Sequence, residues 1–443
     1  MTKQLLTKQL CFLAILLFPA FVAAQDWRTE ANARIEQHRK ENITLFVTAE
    51  GKPLTGATVT VEMVNHEFLF GSNIFLAQNP DRQPAQQLAD YHQRFAELLN
   101  FATLPFYWAS YESVRGQPNY AHSERIVEWC KEQGIRTKGH PLVWNTSDPH
   151  WIKEMPIDDL YRVQIDRVTA CVERLRGKID TWDVINEVSE WSRPTMINQV
   201  PKLTELGQMK GEIELAKASF AAARKANPEA ILLINDYIVD DRYAAVVEKL
   251  VDDSGKPLYD VIGIQGHMHS GTWNNARIWE VCERFAKFNV PLHFTELTIL
   301  STDEARNWWG ENSNNQGAQT TPAGELKQAE EVERIYTMLF SHPSVEAITW
   351  WDFSDSGAWM RAPAGFLRRD MTPKPAYEVL KTLIKEKWAT NVTVKTDDSG
   401  EVPLRAFRGE YRFIVTLSDG SKKVTEPKQR IQKGTEKIVL EWK

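Results

Sequence analysis

The stretch TWDVINE, residues 181–187, decides how the chain is read. Trp182, Val184 and Ile185 belong in a packed interior, yet the run closes on an amide, Asn186, and a carboxylate, Glu187, before a polar segment begins. A second run, VPLHFTEL (290–297), repeats the pattern and sets Glu296 at the end of another short apolar strand. Working outward, similar strands are read in FLFGSNI (68–74), NFATLPFYW (100–108), IRTKGHPLVW (135–144), AILLINDY (230–237), YDVIGIQGHMH (259–269) and VEAITWWDF (345–353). Amphipathic stretches separate them. In IDDLYRVQIDRVTACVERLRGK (157–178), Leu160, Val163, Val168, Cys171, Val172 and Leu175 fall on one helical face. Asp158 and Asp159 favour the N-terminus of that helix and Gly177 closes its C-terminus. Strands alternating with helices over ~250 or more residues predict an α/β fold, a (β/α)8 TIM barrel. A doubly wound open sheet is the competing fold, but no Gly-rich phosphate-binding turn follows the first strand.

The chain of 443 residues has room for a barrel and a smaller appendage. A formal net charge of −6 argues against nucleic acid or an anionic membrane as partner. The N-terminus reads as a cleavable signal peptide over 1–24: Lys3 and Lys8 precede the apolar LCFLAILLFPAFV, and Ala23 and Ala24 suit cleavage before Gln25. That predicts a secreted or periplasmic protein with no membrane attachment after cleavage. Cys130, Cys171 and Cys282 of the mature chain are too sparse for a disulfide framework and are expected as buried apolar side chains. Residues 25–65 are expected to form a helix and a β-hairpin around Gly51-Lys52-Pro53, and 66–388 the barrel. A β-rich accessory region follows over 389–443, where period-two strands and Asp-Gly or Ser-Gly turns replace the helical pattern. The two terminal segments are candidates for one β-module.

Barrel active sites lie at the C-terminal ends of the strands. The residues there are His140 and Trp144, Asn186 and Glu187, Asn235 and Tyr237, Gln265, His267 and His269, Glu296, then Trp351 and Asp355. Glu187 and Glu296 end the fourth and seventh strands, which face each other across the mouth. Two carboxylates approaching a substrate from opposite sides are what glycosidic cleavage needs, one as acid to the leaving oxygen and one at the anomeric carbon. Asn186 precedes Glu187 directly, so both reach one substrate only if the strand is locally distorted, since neighbours on a regular strand face opposite ways.

The motifs GHPLVWN, WDVINE, LINDY, GIQGH, HFTEL and ITWWDFSDSGAW, in this order at consecutive strand ends, resemble glycoside hydrolase family 10, whose main activity is endo-β-1,4-xylanase. The resemblance runs from about Phe68 to Trp388 and implies a β/α barrel, a retaining mechanism and a β-linked polysaccharide or oligosaccharide, xylan or a relative, as substrate, with no cofactor and no metal. It implies that Glu187 is the general acid/base and Glu296 the nucleophile. It also implies that Asn186 bonds the sugar hydroxyl beside the anomeric carbon and that His267, with Gln265 beside it, orients the nucleophile. His140 and Trp144 become sugar contacts, and Trp351 and Trp359 aromatic walls; Tyr237, by its place at a strand end, is a further substrate-binding candidate. At the retaining spacing of about 5–5.5 Å, an ionised nucleophile favours the protonated form of its neighbour.

One motif departs from the family. Where its members usually carry ENEMKW on the second strand, whose Asn and Lys bind the next sugar on the non-reducing side, this chain has TLPFYW, with Leu104 and Tyr107 at those positions. Pro141 and Asn145 replace a Thr and a His of the third-strand motif. Cleavage chemistry is expected to be retained and sugar preference altered, because apolar contacts discriminate less than buried hydrogen bonds. Trp191, Trp308 and Trp309, in loops after the fourth and seventh strands, are candidates either to stack on sugars or to pin the loops. Three other readings remain: a β-glycosidase of other specificity, a glycan-binding barrel that has lost catalysis, and a metal-dependent hydrolase using His267 and His269 with His140, His293 or Asp236. A monomer is expected.

Overall fold

The computed structural model describes residues 26–78, 83–192, 201–304, 306, 308, 317–425 and 428–442. The expected signal peptide lies outside the described residues, as does Trp309.

Eight parallel strands close a barrel: Leu69–Asn73, Phe101–Pro105, Arg136–His140, Thr181–Asn186, Ile231–Asp236, Val261–Met268, Leu292–Ile299 and Val345–Trp350. They neighbour one another in chain order, and the last closes on the first through Ala347↔Leu69 to Trp350↔Ser72. An α-helix follows each strand: Ala85–Leu98, Tyr120–Glu132, Ile157–Arg174, Glu212–Ala226, Asp241–Lys249, Asn275–Ala286, Pro322–Ser341 and Pro375–Thr382. Strands buried on both faces explain their continuous apolar runs.

The helix Ile157–Arg174 buries Leu160, Val168, Cys171 and Val172 as its period predicts, but Val163 is only half-buried. Gln164 and Arg167 take the inward positions instead, and the Arg167 guanidinium donates to the carbonyls of Phe106 and Leu142. Those carbonyls lie just beyond strand ends, where the ladder gives them no partner, so a buried cation there satisfies acceptors that an apolar side chain would leave bare. Cys130, Cys171 and Cys282 are buried free thiols.

The expected N-terminal hairpin is corrected. Lys40–Ala49 pairs only briefly with Lys52–Pro53, and the next long strand, Thr58–His66, joins a different sheet. Lys40–Ala49 lies between Glu401–Phe407, antiparallel, and Lys437–Trp442, parallel. Thr58–His66 lies between Val392–Lys395 and Gly409–Thr416. Each strand has one apolar face, Ile43, Leu45 and Val47 on one and Val59 and Val61 on the other. Stacking these faces as a sandwich buries both, whereas a flat hairpin would leave them side by side and half exposed. The terminal segments thus make one β-sandwich. Arg39 links it to the barrel base, donating to the carbonyls of Phe340 at 2.7 Å, His342 at 2.6 Å and Val345 at 2.7 Å. Among the described residues, no helix is long and apolar enough to cross a membrane.

Candidate active site

Both glutamates sit at breaks in strand regularity. The pairing of the fourth strand with the fifth shifts register between Asp183 and Ile185, and Glu187 itself is left-handed at φ 58°. The seventh strand shifts against the sixth between Phe294 and Glu296. Such bulges re-aim side chains, which is the distortion Asn186 and Glu187 need to face one substrate. The left-handed residue is a strained choice for a glutamate, at roughly 1–2 kcal/mol. It is held by the Glu187 amide donating to the Asn235 carbonyl at 2.8 Å. The Asp236 carboxylate also accepts from the amides of Ser189 at 3.1 Å and Ile238 at 3.0 Å. Burial pushes Asp236 up to about 7.

Glu296 is buried at the barrel mouth. Its Oε1 accepts from Asn235 Nδ2 at 2.8 Å and its Oε2 from His267 Nε2 at 3.1 Å. On its other side, His267 Nδ1 lies 2.8 Å from the Thr298 hydroxyl, so the imidazole is held between Thr298 and Glu296. His140 Nε2 lies 4.0 Å from Glu296 Oε1. Burial alone would raise the Glu296 carboxyl, but the His267 bond and the charges of His140, His267 and Lys138 hold it below the usual carboxylate range. His140 is anchored behind by Asp183, whose Oδ2 lies 2.7 Å from both His140 Nδ1 and Lys138 Nζ. Lys138 and Asp183 are fully buried, and with His140 they form a buried chain of polar contacts beneath Glu296.

Glu187 is half-buried and held differently. Trp144 Nε1 donates to its Oε2 at 3.0 Å and Gln265 Nε2 to its Oε1 at 3.1 Å. The same Gln265 amide donates to Asn186 Oδ1 at 3.2 Å, and Asn235 Nδ2 donates to that oxygen at 2.7 Å. One amide network therefore runs from Glu187 through Gln265, Asn186 and Asn235 to Glu296. The Thr295 hydroxyl donates to Asn235 Oδ1 at 2.5 Å, which fixes that amide with its NH2 towards Asn186 and Glu296. With Oδ1 of Asn186 occupied twice, its Nδ2 is the group left to meet a ligand.

The structure brings Glu187, Glu296, His140, Trp144, Asn186, Gln265 and His267 into one cluster. The Trp351 ring stands edge-on to His140 at 5.3 Å and to His267 at 5.9 Å between centroids. Trp359 covers His267 at 4.6 Å and is 40% exposed, as a platform at the rim would be. Tyr237 is half-buried at the end of the fifth strand, within charge range of Arg242. Trp191 and Trp308 pin loops. Trp191 is buried with Nε1 donating to the Asn186 carbonyl at 2.9 Å, and Trp308 packs on Ala318, Ala362 and Ala364.

The zinc reading finds no support in the geometry. His267 is committed to Glu296 at 3.1 Å and to Thr298 at 2.8 Å. Among the described residues, no three His, Cys, Asp or Glu side chains converge as a ligand set. Sequence reasoning passed over Lys138, Asp183, Thr295, Thr298 and the central place of Asn235. Lys138 and His140 share a face by period-two spacing, which was the available signal for the first.

A closed β/α barrel with two hydrogen-bonded carboxylates at the ends of its fourth and seventh strands has the plan of the carboxylate-pair glycosidases. The chain belongs to Glycosyl hydrolase family 10, whose profile matches residues 70–383. It is 27% identical over 402 residues to Anti-sigma-I factor RsgI6 of Acetivibrio thermocellus, covering 90% of this chain and 48% of that protein. It is 25% identical over 403 residues to Endo-1,4-beta-xylanase 2 of Arabidopsis thaliana, covering 87% of this chain and 33% of that one. The chain thus spans half or less of the length of these two relatives. In fold it is similar to xylanase 10B from Thermotoga petrophila RKU-1, solved in complex with xylobiose. The TM-score is 0.58 at 22% identity, covering 72% of this chain and 95% of that one.

Proposed function

We propose that the protein is a secreted or periplasmic retaining glycosidase that cleaves xylan or a related β-glycan by double displacement. The observation that carries this reading is the unequal support of the two glutamates. Glu296 is buried, bonded by an imidazole and an amide, and held below the usual carboxylate range, the state a nucleophile needs. Glu187 is the more open of the pair and takes the acid role.

Glu296 attacks the anomeric carbon while Glu187 gives its proton to the departing glycosidic oxygen. A glycosyl ester on Glu296 results. Glu187, now a carboxylate, takes a proton from water, the water oxygen attacks the anomeric carbon, and the ester bond returns its electrons to Glu296. Two inversions give net retention. The Asn186 amide, its oxygen locked by Asn235 and Gln265, presents its NH2 to the neighbouring hydroxyl, a bond that strengthens in the transition state. Xylan as substrate is supported by the relatives named endo-1,4-beta-xylanases.

The test is incubation of the purified mature protein, with and without chelator, with linear xylan and a panel of other β-glycans, products being resolved by size. Chelator-resistant release of soluble sugars from xylan supports the metal-independent hydrolase and its substrate, and release from another β-glycan alone moves the substrate. Silence on every glycan overturns it in favour of a binding barrel.

A further inference from the structure

Beside the two carboxylates stand two aromatic side chains, Tyr107 and Phe75, that the mechanism above does not use. Leu104 is fully buried in the second strand and packs into the core, so nothing polar reaches a ligand from that position. The chain then turns at Phe106 and Tyr107 into the short helix Trp108–Tyr111. The turn is fixed: the Phe106 amide donates to the His140 carbonyl at 2.6 Å, and the amides of Ser110 and Tyr111 donate to the Tyr107 carbonyl at 3.1 and 2.9 Å.

From this turn the Tyr107 ring contacts His140 and Trp144, each at 5.6 Å between centroids. His140 is the neighbour of Glu296 and Trp144 is bonded to Glu187, so Tyr107 stands one side chain away from both carboxylates. Behind it, Phe75 meets Tyr107 edge-on at 5.8 Å and Trp351 at 5.5 Å, with interplanar angles of 87° and 81°. Rings locked near right angles cannot slide aside together without losing both contacts.

We propose that Tyr107, backed by Phe75, is the end wall of the glycone side, limiting it to one sugar ring, so that the protein removes single sugars from non-reducing ends rather than cutting within chains. The inference rests on the glycosidase reading above. A wall touching the immediate neighbours of both carboxylates stands within one side chain of the bond being cleaved, where it blocks the straight continuation of the chain beyond the terminal ring. Burial, then the charges of Glu296 and Glu187, push the Tyr107 phenol up, so its hydroxyl is a neutral donor towards that terminal sugar. No described side chain takes up this hydroxyl. A terminal sugar carries the free hydroxyl that an internal one has lost to a glycosidic bond, and this donor fits it.

The experiment compares kcat/KM on p-nitrophenyl β-xyloside and p-nitrophenyl β-xylobioside, with the glucoside and cellobioside pair alongside. Wild type is expected to turn over a monoside at least as well as its bioside. Tyr107→Ala and, independently, Phe75→Ala are expected to move the ratio towards the bioside by roughly tenfold or more. Preference of the wild type for a bioside by that margin overturns the inference while leaving the glycosidase reading intact. So does an unmoved ratio in both variants when their melting temperatures show them folded. No turnover of any aryl glycoside or glycan overturns both.

Discussion

Glu296 and Glu187 are held by different donors, and their removal has different consequences. Glu296→Ala is expected to lower turnover by on the order of 10³-fold or more on every substrate while leaving the melting temperature within a few degrees, since the proposed ester forms on Glu296. Glu187→Ala is expected to fail on natural glycans yet retain much of the first bond cleavage on aryl glycosides with good leaving groups, which need no proton. Equal loss on both substrate types in a kcat/KM comparison would refute the acid role. Glu296 is kept below the usual carboxylate range against burial by His267. A carboxyl whose folded pKa is depressed gives stability present above its unfolded value, about 4.3, and lost as pH falls through the folded one. His267→Ala removes the donor, so the acid limb of kcat/KM is expected to move to higher pH; an unmoved limb contradicts the tuning. At this scale the sequence exposed the residues that end strands, because their position alone marks them. It did not expose Lys138 and Asp183, because their 2.7 Å ion pair joins neighbouring strands whose register no local pattern states.

Two strand irregularities and one close approach place the site. Gly263 in the sixth strand lies against Asn235, the amide that bonds both Asn186 and Glu296. A Cβ there would sit 2.6 Å from Asn235 Oδ1 and 3.0 Å from the Ile234 carbonyl. Gly263→Ala is expected to cost about 1–3 kcal/mol of stability. It is also expected to lower kcat by more than tenfold by turning that amide, whereas full kcat at reduced stability would make Gly263 a packing residue only. The strands and helices were legible because period two and period 3.6 are local signals. Legibility stopped where a polar residue is buried to serve backbone, as with Gln164 and Arg167 in the helix Ile157–Arg174, since hydropathy places both outside. It stopped again at the bulge before Asn186, which was required by function but not readable from residue type.

The strands within 40–66 and 392–442 fold as one body. Lys40–Ala49 draws both long neighbours, Glu401–Phe407 and Lys437–Trp442, from the C-terminal region, so an N-terminal strand has no long partner without it. Deleting residues 389–443 would bare Ile43, Leu45 and Val47 and remove Phe407 from the barrel base, where it packs against Phe340 at 6.2 Å. That truncation is expected to lower the melting temperature by ten degrees or more, or to yield aggregate, as exposed edges and apolar faces do. An unchanged melting curve would make the sandwich an independent appendage. Sequence patterning found strands at both ends but misassigned the N-terminal pair to a hairpin. Adjacent strands usually pair, and the sheet exchange depends on partners that lie hundreds of residues away.

The most direct test of the double displacement is covalent trapping. A fluorosugar with an activated leaving group, built on the sugar that the glycan panel shows to be cleaved, slows release of the ester more than its formation. Peptide mapping of the inactivated protein by mass spectrometry is predicted to find one equivalent of sugar on Glu296 and none after Glu296→Ala. Label on another residue, or glycan cleavage that continues at full rate with Glu296 unlabelled, would contradict the account.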